Sequence, residues 1–494
     1  MKEADELLLK AKTAEETKKA LQMGANVNAT DSFGTTALMN AQTAEQTKLL
    51  LEAGANVNAI GRLGDSCERT ALFFAKTAEQ TKLLIEAGAY VNWSDGVGKT
   101  ALTYAKTAEQ TDILIKAGAD VKCSKVLFNA NAEQTKLLLE AGANVGINEA
   151  FIYASSIEKM KLLLEAGADV NAKDQFGNTA LMVADSAEKT EFLIKAGADV
   201  NAKNEDGNTA LMVADSAEKT EFLIKAGADV NAKDKNGTTA LINAKTAKQT
   251  KLLLEAGADV NACDSYGRTA LSQAKTTEQT DILIKAGADV KLVGILFNAN
   301  AEQTKLLLEA GATVDKYTFA SSFEINKIKL LIKAGADVNS QNPNGNTALT
   351  IATSNSNIEV IKLLLASGAD VNLKNNNGDT AMHWARTPEI AKLLLKAGTE
   401  LEQLLKNENL SVTQKSQLIE EFQKEKEIQA QISKNKERLK NKLKQSGKSG
   451  VVIADEIAKK QISGEETRVI TPQVGKQLRQ ELIKEMNSKK ARKE

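Results

Sequence analysis

One short motif, Leu-Leu-x-x-Gly-Ala with close variants, returns along this chain, and its return rules out most folds open to a sequence of this length. Its glycine stands at Gly24, Gly54, Gly88, Gly118, Gly142, Gly167, Gly197, Gly227, Gly257, Gly287, Gly311, Gly335, Gly368 and Gly398. Seven of the thirteen intervals are 30 residues, one each is 33 and 34, and four are 24 or 25. At roughly 150 residues per domain, 494 residues would otherwise suggest about three globular domains. A fixed period of this size instead marks a stacked array, in which each unit buries its apolar stripe only against its neighbours.

Residues 177–203 show what one unit is. Thr179 is placed to cap a first short helix carrying Ala180, Leu181, Val183 and Ala184. Ser186 starts a second helix, with Phe192, Leu193 and Ile194 as its apolar face. In sibling units Thr77 with Gln80, and Thr107 with Gln110, have the spacing of a capping box. Gly197 then stops the helix, since glycine takes the left-handed C-terminal cap without strain. The segment ADVNAKNEDG is rich in turn formers and leads to Thr209 of the next unit.

These residues resemble the ankyrin repeat, whose pattern runs D-x-x-G-x-T-P-L-H-x-A-A, then a second helix ending L-L-x-x-G-A-D-V-N-A. DQFGNTALMVA at 174–184 and FLIKAGADVNA at 192–202 follow it. The resemblance covers residues 1–400 and returns about fourteen times. It departs in two ways: the proline is alanine at every T-A-L, and most units lack about three residues between the helices. Alanine is a good helix former, and the capping box stands in for the shortened loop. Residues 345–368 keep the full-length loop. The implied fold is all-α: an ankyrin-type solenoid of stacked helix pairs with β-hairpin-like fingers, followed by a helical or disordered C-terminal tail. The implied role is protein–protein recognition with no reaction.

Nine units keep the T-A-L or T-A-M start, and five do not. One of the five is the polar N-terminal unit, suited to an end cap. The others form two adjacent pairs, around 119–167 and 288–335, where the turn-rich finger is missing. FNANAEQTKLLLEAGA occurs at both 128–143 and 297–312, an offset of 169 residues, so the array grew by copying blocks. Fourteen layers spaced at about 9–10 Å predict a curved stack on the order of 130 Å long. Two finger gaps would divide its concave face into three segments.

Chemistry is poorly provided for. His383 is the single histidine, and Cys67, Cys123 and Cys263 form no metal or disulfide spacing. Catalytic triads and zinc sites need more than that, so no enzyme, metal or cofactor is expected. His383 is expected to hydrogen-bond neighbouring loops. The 64 basic and 64 acidic residues balance, which removes whole-chain attraction to polyanions. No signal peptide or membrane span is evident, and a cytoplasmic protein is expected. GKSG at 447–450 lacks the first glycine and strand of a phosphate loop.

Residues 401–424 read as a helical segment capping the array, and 425–494 as a basic Lys/Gln-rich tail, partly helical or disordered. Residues 401–494 hold 21 Lys+Arg against 14 Asp+Glu, a net +7. Lys434, Lys436, Arg438, Lys440, Lys442, Lys444 and Lys448 are the candidates for touching nucleic acid or an anionic membrane. Only eight arginines in the chain and no aromatic residue after Phe422 argue against base reading or stacking there.

The partner-binding candidates are residues assigned to finger tips: Phe33, Trp93, Phe176, Glu205, Asp206, Lys235 and Tyr266. Aromatic residues make up 4% of the chain, and exposed ones mark interface anchors unless each ring folds back on the adjacent finger. The expectation is a scaffold binding one or more proteins through finger tips and the concave helix face. A secreted effector of an intracellular bacterium is the alternative; its Lys-rich C-terminus would resemble a translocation signal, and its Lys- and Asn-rich composition would fit a bacterial AT-rich genome.

Overall fold

The computed structural model describes residues 3–62, 67–123, 125–322 and 324–446. The chain divides into two compact units, Met1–Asp289 and Val290–Glu494, and the described residues of each form a helix-rich stack of helix pairs. Among the described residues, the one strand pair is Gly61–Arg62 with Glu68–Arg69, antiparallel, Gly61 opposite Arg69.

In the first unit a typical layer joins a four-residue helix, such as Ala180–Val183, to a nine-residue helix, such as Ala187–Lys195. The longer helix begins where the Ser186 hydroxyl accepts the Lys189 N–H at 3.2 Å. It ends at Gly197, whose φ is +91°. There Gly197 N–H reaches the Ile194 carbonyl at 3.1 Å and Ala198 N–H the Leu193 carbonyl at 3.0 Å, which satisfies two end carbonyls that the helix itself leaves open. Leu50, Leu84, Leu114, Leu138, Leu163 and Leu193 occupy one step of successive long helices and are at most 2% exposed. Each such leucine contributes about 1.5–3 kcal/mol of burial.

The expected cap at the first helix forms in some layers only. Thr36 and Thr269 cap theirs, but the Thr179 hydroxyl makes no cap bond and lies buried with no hydrogen-bond partner. A four-residue helix that packs on both sides gains its stability from neighbouring layers, so the cap is dispensable there.

The shortened loop is compensated across layers. Gln80 accepts the Lys76 N–H at 2.9 Å, one residue before the N-cap expected to donate to it. Its amide then donates to the Ala41 carbonyl at 3.2 Å and the Thr47 hydroxyl at 3.1 Å, both in the preceding layer. Gln110 repeats this on Ala75 and Thr81, and Gln134 on Ala105 and Thr111. Each glutamine therefore closes the open carbonyl end of its neighbour's first helix. In the middle of the unit lysines replace the glutamines: Lys159, Lys189 and Lys219 donate to the carbonyls of Phe128, Ala154 and Ala184. Gln249 and Gln279 then resume the pattern.

A second ladder runs near the C-cap glycines. Asn201 donates to the Gly227 carbonyl at 3.1 Å and accepts the Asp229 N–H at 2.8 Å. Asn231 and Asn261 do the same one and two layers on.

In the second unit the full-length loop closes its own end: Asn357 N–H reaches the Ala352 carbonyl at 3.0 Å, and the next layer carries Ile390, not glutamine, at the ladder step. Asn407, fully buried, takes over at the last layer by donating to the carbonyls of Met382 and Ala385 at 2.6 and 2.9 Å. The helices Leu401–Lys406 and Val412–Ser446 follow. Residues 424 and 425 lie inside the longer helix, so the expected boundary there coincides with no break. That helix is held to Pro388–Lys396 by Lys392–Glu421 at 2.5 Å and Lys396–Glu425 at 2.7 Å.

Candidate functional site

Apart from the strand pair at Gly61–Arg62 and Glu68–Arg69, the described fingers of the first unit are turns closed by the same bonds. Asp174 accepts the N–H groups of Phe176 and Asn178 on one carboxylate oxygen, both at 2.8 Å, and its own N–H reaches the Asn178 carbonyl at 3.0 Å. Asp31, Asp95, Asn204, Asp234 and Asp264 build the same turn in the first unit. Between the fingers at 95–99 and 174–178 no such turn forms among the described residues, as the missing segment predicts. Adjacent fingers are tied by their backbones: Glu205 N–H to the Phe176 carbonyl at 3.0 Å, and Lys235 N–H to the Asp206 carbonyl at 2.9 Å. Gly177 permits this approach, because its φ is +78° and a Cβ there would stand 2.9 Å from the Glu205 nitrogen.

Two residues past the turn aspartate is the tip. Phe33, Phe176 and Tyr266 occupy it at 61%, 57% and 73% exposure. Asp206 holds the same step, with Glu205 and Lys235 beside it, all exposed. Trp93 does not sit there. It precedes Asp95 by two residues, is half-buried, and its indole N–H donates to the Glu68 carbonyl at 3.1 Å. The finger's tip residue is Val97, 62% exposed. Counting from the turn aspartate, not from the aromatic, would have located it.

Behind Trp93 lies a polar cluster. The Tyr104 hydroxyl accepts from Arg69 at 3.1 Å and donates to Asp95 at 3.2 Å. Arg69 stands 3.5 Å from the same carboxylate. Burial by itself would raise the Asp95 carboxyl, but the Lys99 and Val97 N–H groups, Tyr104 and Arg69 outweigh it and hold the group below its ordinary value. Tyr153 donates to Asp174 at 2.5 Å, and that bond, with burial, raises its phenol to about 12. Both clusters fix side chains; neither sets a nucleophile beside a base.

His383 accepts the Thr380 N–H on Nδ1 at 3.1 Å, a cap on its own short helix where a bond to neighbouring loops was expected. Among the described residues, no group of three or more His, Cys, Asp or Glu is placed to hold a metal ion. Nor is any helix there long and apolar enough to cross a membrane. Lys434, Lys436, Arg438, Lys440, Lys442 and Lys444 lie on the helix Val412–Ser446. Lys448 and the GKSG segment lie outside the described residues.

Stacked helix pairs, glycine-closed, with fingers tied edge to edge, define a repeat protein built to present a surface. The sequence profile described as ankyrin repeats matches in three copies, over residues 147–234, 214–293 and 317–404. The chain belongs to the ankyrin-repeat family, whose repeats serve protein–protein interaction in general. The matches establish the family without numbering the layers. No curated protein matches the sequence.

Proposed function

We infer that the chain is a non-enzymatic scaffold that binds partner protein through its finger tips and the helix face beside them. The observation that carries this reading is the set of aromatic tips. Phe33, Phe176 and Tyr266 are each more than half exposed on turns that are hydrogen-bonded internally, and those of Phe33 and Phe176 are also bonded to the next finger. Large side chains held on a fixed backbone lose little freedom on binding, which favours affinity. Glu205, Asp206 and Lys235 supply polar variation at neighbouring tips, suited to specificity. Photo-crosslinking amino acids at Phe33, Phe176 and Tyr266, compared with Lys82 and Lys251 on long helices, test the reading in native lysate. A discrete partner captured from the tips supports it; capture only from the long helices overturns the assignment.

The alternative of an exported effector concerns residues 425–494. A reporter fused to them that never leaves the donor cell removes that reading.

A further inference from the structure

The last step of each first helix, four residues after its T-A-L threonine in the regular layers, forms a ribbon along the first unit. It reads Asn40, then Phe74, Tyr104, the Phe128–Asn129 pair, Tyr153, Val183 and Val213, then Asn243. Between its polar ends the ribbon carries an aromatic or aliphatic side chain in six layers, interrupted once by the exposed Asn129 beside Phe128. Its members are half-buried or exposed, Tyr153 at 44% and Val213 at 43%. Phe128 and Tyr153 pack edge to face with centroids 5.8 Å apart.

Charge along the ribbon is not uniform. Two residues further on, in the turn before the long helix, stand Lys76 and Lys106 towards one end and Asp185 and Asp215 towards the other, with Lys245 in the polar layer that closes the row. Lys99 lies 5.6 Å from the Tyr104 ring centre, and Lys125 lies 5.9 Å from that of Phe128. Lys76, Lys99 and Lys106 form no ion pair among the described residues. Asp185 and Asp215 keep 73% and 53% of their side chains exposed while pairing with buried lysines. Glu205 and Asp206 add charge of the same sign at the finger above.

We propose that this ribbon is the docking groove for one extended peptide segment of a partner protein, acidic where it crosses Lys76, Lys99 and Lys106, apolar in the middle, and basic where it crosses Asp185 and Asp215. The inference rests on the scaffold reading and narrows it to a chemistry. Six layers at about 9–10 Å span a length that roughly 15 extended residues would cover. A nucleic acid fits less well: its phosphates would match the lysine end and then meet the aspartate end, where like charges repel.

The test is selection of random 15-residue peptides displayed on phage against the full chain. Enriched sequences are expected to carry acidic and basic residues in opposite halves with apolar residues between. A synthetic copy should bind at least tenfold more weakly to K76E/K106E, whose exposed positions leave the thermal melt unchanged, and more weakly in 0.5 M salt. Enriched peptides without charge order, or binding indifferent to K76E/K106E, overturn the proposal. Tighter binding of oligothymidylate, lost in K76E/K106E, reassigns the groove to nucleic acid and overturns it too. If no peptide enriches, the peptide occupant is wrong, while tip crosslinks to a folded partner would still uphold the scaffold reading.

Discussion

The layers ending at Gly88, Gly118 and Gly142 and those ending at Gly167, Gly197 and Gly227 solve the same problem with different side chains. In both groups the shortened loop leaves a carbonyl of the preceding layer open. Gln80, Gln110 and Gln134 close it with a neutral amide that also reaches the threonine hydroxyl beside it. Lys159, Lys189 and Lys219 close it with a buried ammonium, which carries a charge out of water. Lys189 and Lys219 keep a carboxylate at 3.0 and 2.9 Å. Lys159 is 1% exposed, donates to the Phe128 carbonyl at 2.9 Å, and leaves the Thr135 hydroxyl ahead of it buried without a partner. An identical backbone slot thus tolerates an amide, a paired cation or a nearly solitary cation, and the three should differ in stability.

The largest effect is expected from removing an amide. Gln110→Ala strips partners from the Ala75 carbonyl and the Lys106 N–H together, and leaving buried polar groups unmade costs about 2–4 kcal/mol in all. Because a long array unfolds piecewise, the readout is amide hydrogen exchange. Protection should fall in the layers ending at Gly88 and Gly118 and stay unchanged beyond Gly197. Unchanged exchange at Lys106 and across the layer ending at Gly88 would mean the ladder is ornamental.

Lys159→Gln should act in the opposite direction. Burial pushes the Lys159 ammonium down from 10.5 to about 8. Between those values the unfolded chain holds a proton that the folded chain has lost, so stability rises with pH across that window. Below 8 both states are charged and the folded state carries the full penalty. Glutamine removes the penalty and offers Thr135 a donor, so the variant should gain about 1–3 kcal/mol at pH 7. Its stability should be flatter than that of the unsubstituted chain between pH 8 and 10. A variant as pH-dependent as its parent would place the titration elsewhere.

Much of this architecture was legible because it is local. A glycine that needs positive φ, a threonine three residues before glutamine, and an aspartate opening a turn are signals within five residues, and each fixes backbone geometry where it stands. The inter-layer reach of Gln80 was not legible from that spacing, since the capping box explains the same residue without reference to another layer. The signal was a contrast: glutamine or lysine holds the step after the shortened loops of the first unit, whereas Ile390 holds it after the full-length loop of 345–368. Trp93 was misplaced for a similar reason. An insertion in the finger at 61–69 offers the Glu68 carbonyl to the indole, and composition alone cannot register a partner some 25 residues away. Thr179 differed because packing, not its cap, holds a four-residue helix.

A threonine pair measures what a bonded hydroxyl contributes at this step. Thr111 accepts from Gln134 at 3.0 Å and donates to the Thr107 carbonyl at 3.1 Å, whereas Thr135 has no acceptor or donor partner. Thr111→Val should cost about 1 kcal/mol, and Thr135→Val should fall within about 0.5 kcal/mol of the parent. Equal losses in chemical denaturation would show that valine's shape, not the hydrogen bond, decides both.

Lys189→Gln is expected to change least, and its value lies in the contrast with Lys159. Glutamine at 189 keeps a donor for the Ala154 carbonyl but gives up Asp185, a pair that is solvent-exposed on the acid side and so worth little. The hydroxyl that an amide would normally reach is absent, because Met160 stands where other layers carry threonine. The relief of taking an ammonium out of the interior is therefore offset by an amide hydrogen with nothing to bond, and the net should lie within about 0.5 kcal/mol of zero. The same Lys-to-Gln change, thirty residues apart in sequence, would then stabilise one layer and leave the next untouched. If both variants gain equally, the Asp185 carboxylate contributes nothing to Lys189, and the division into paired and solitary cations fails.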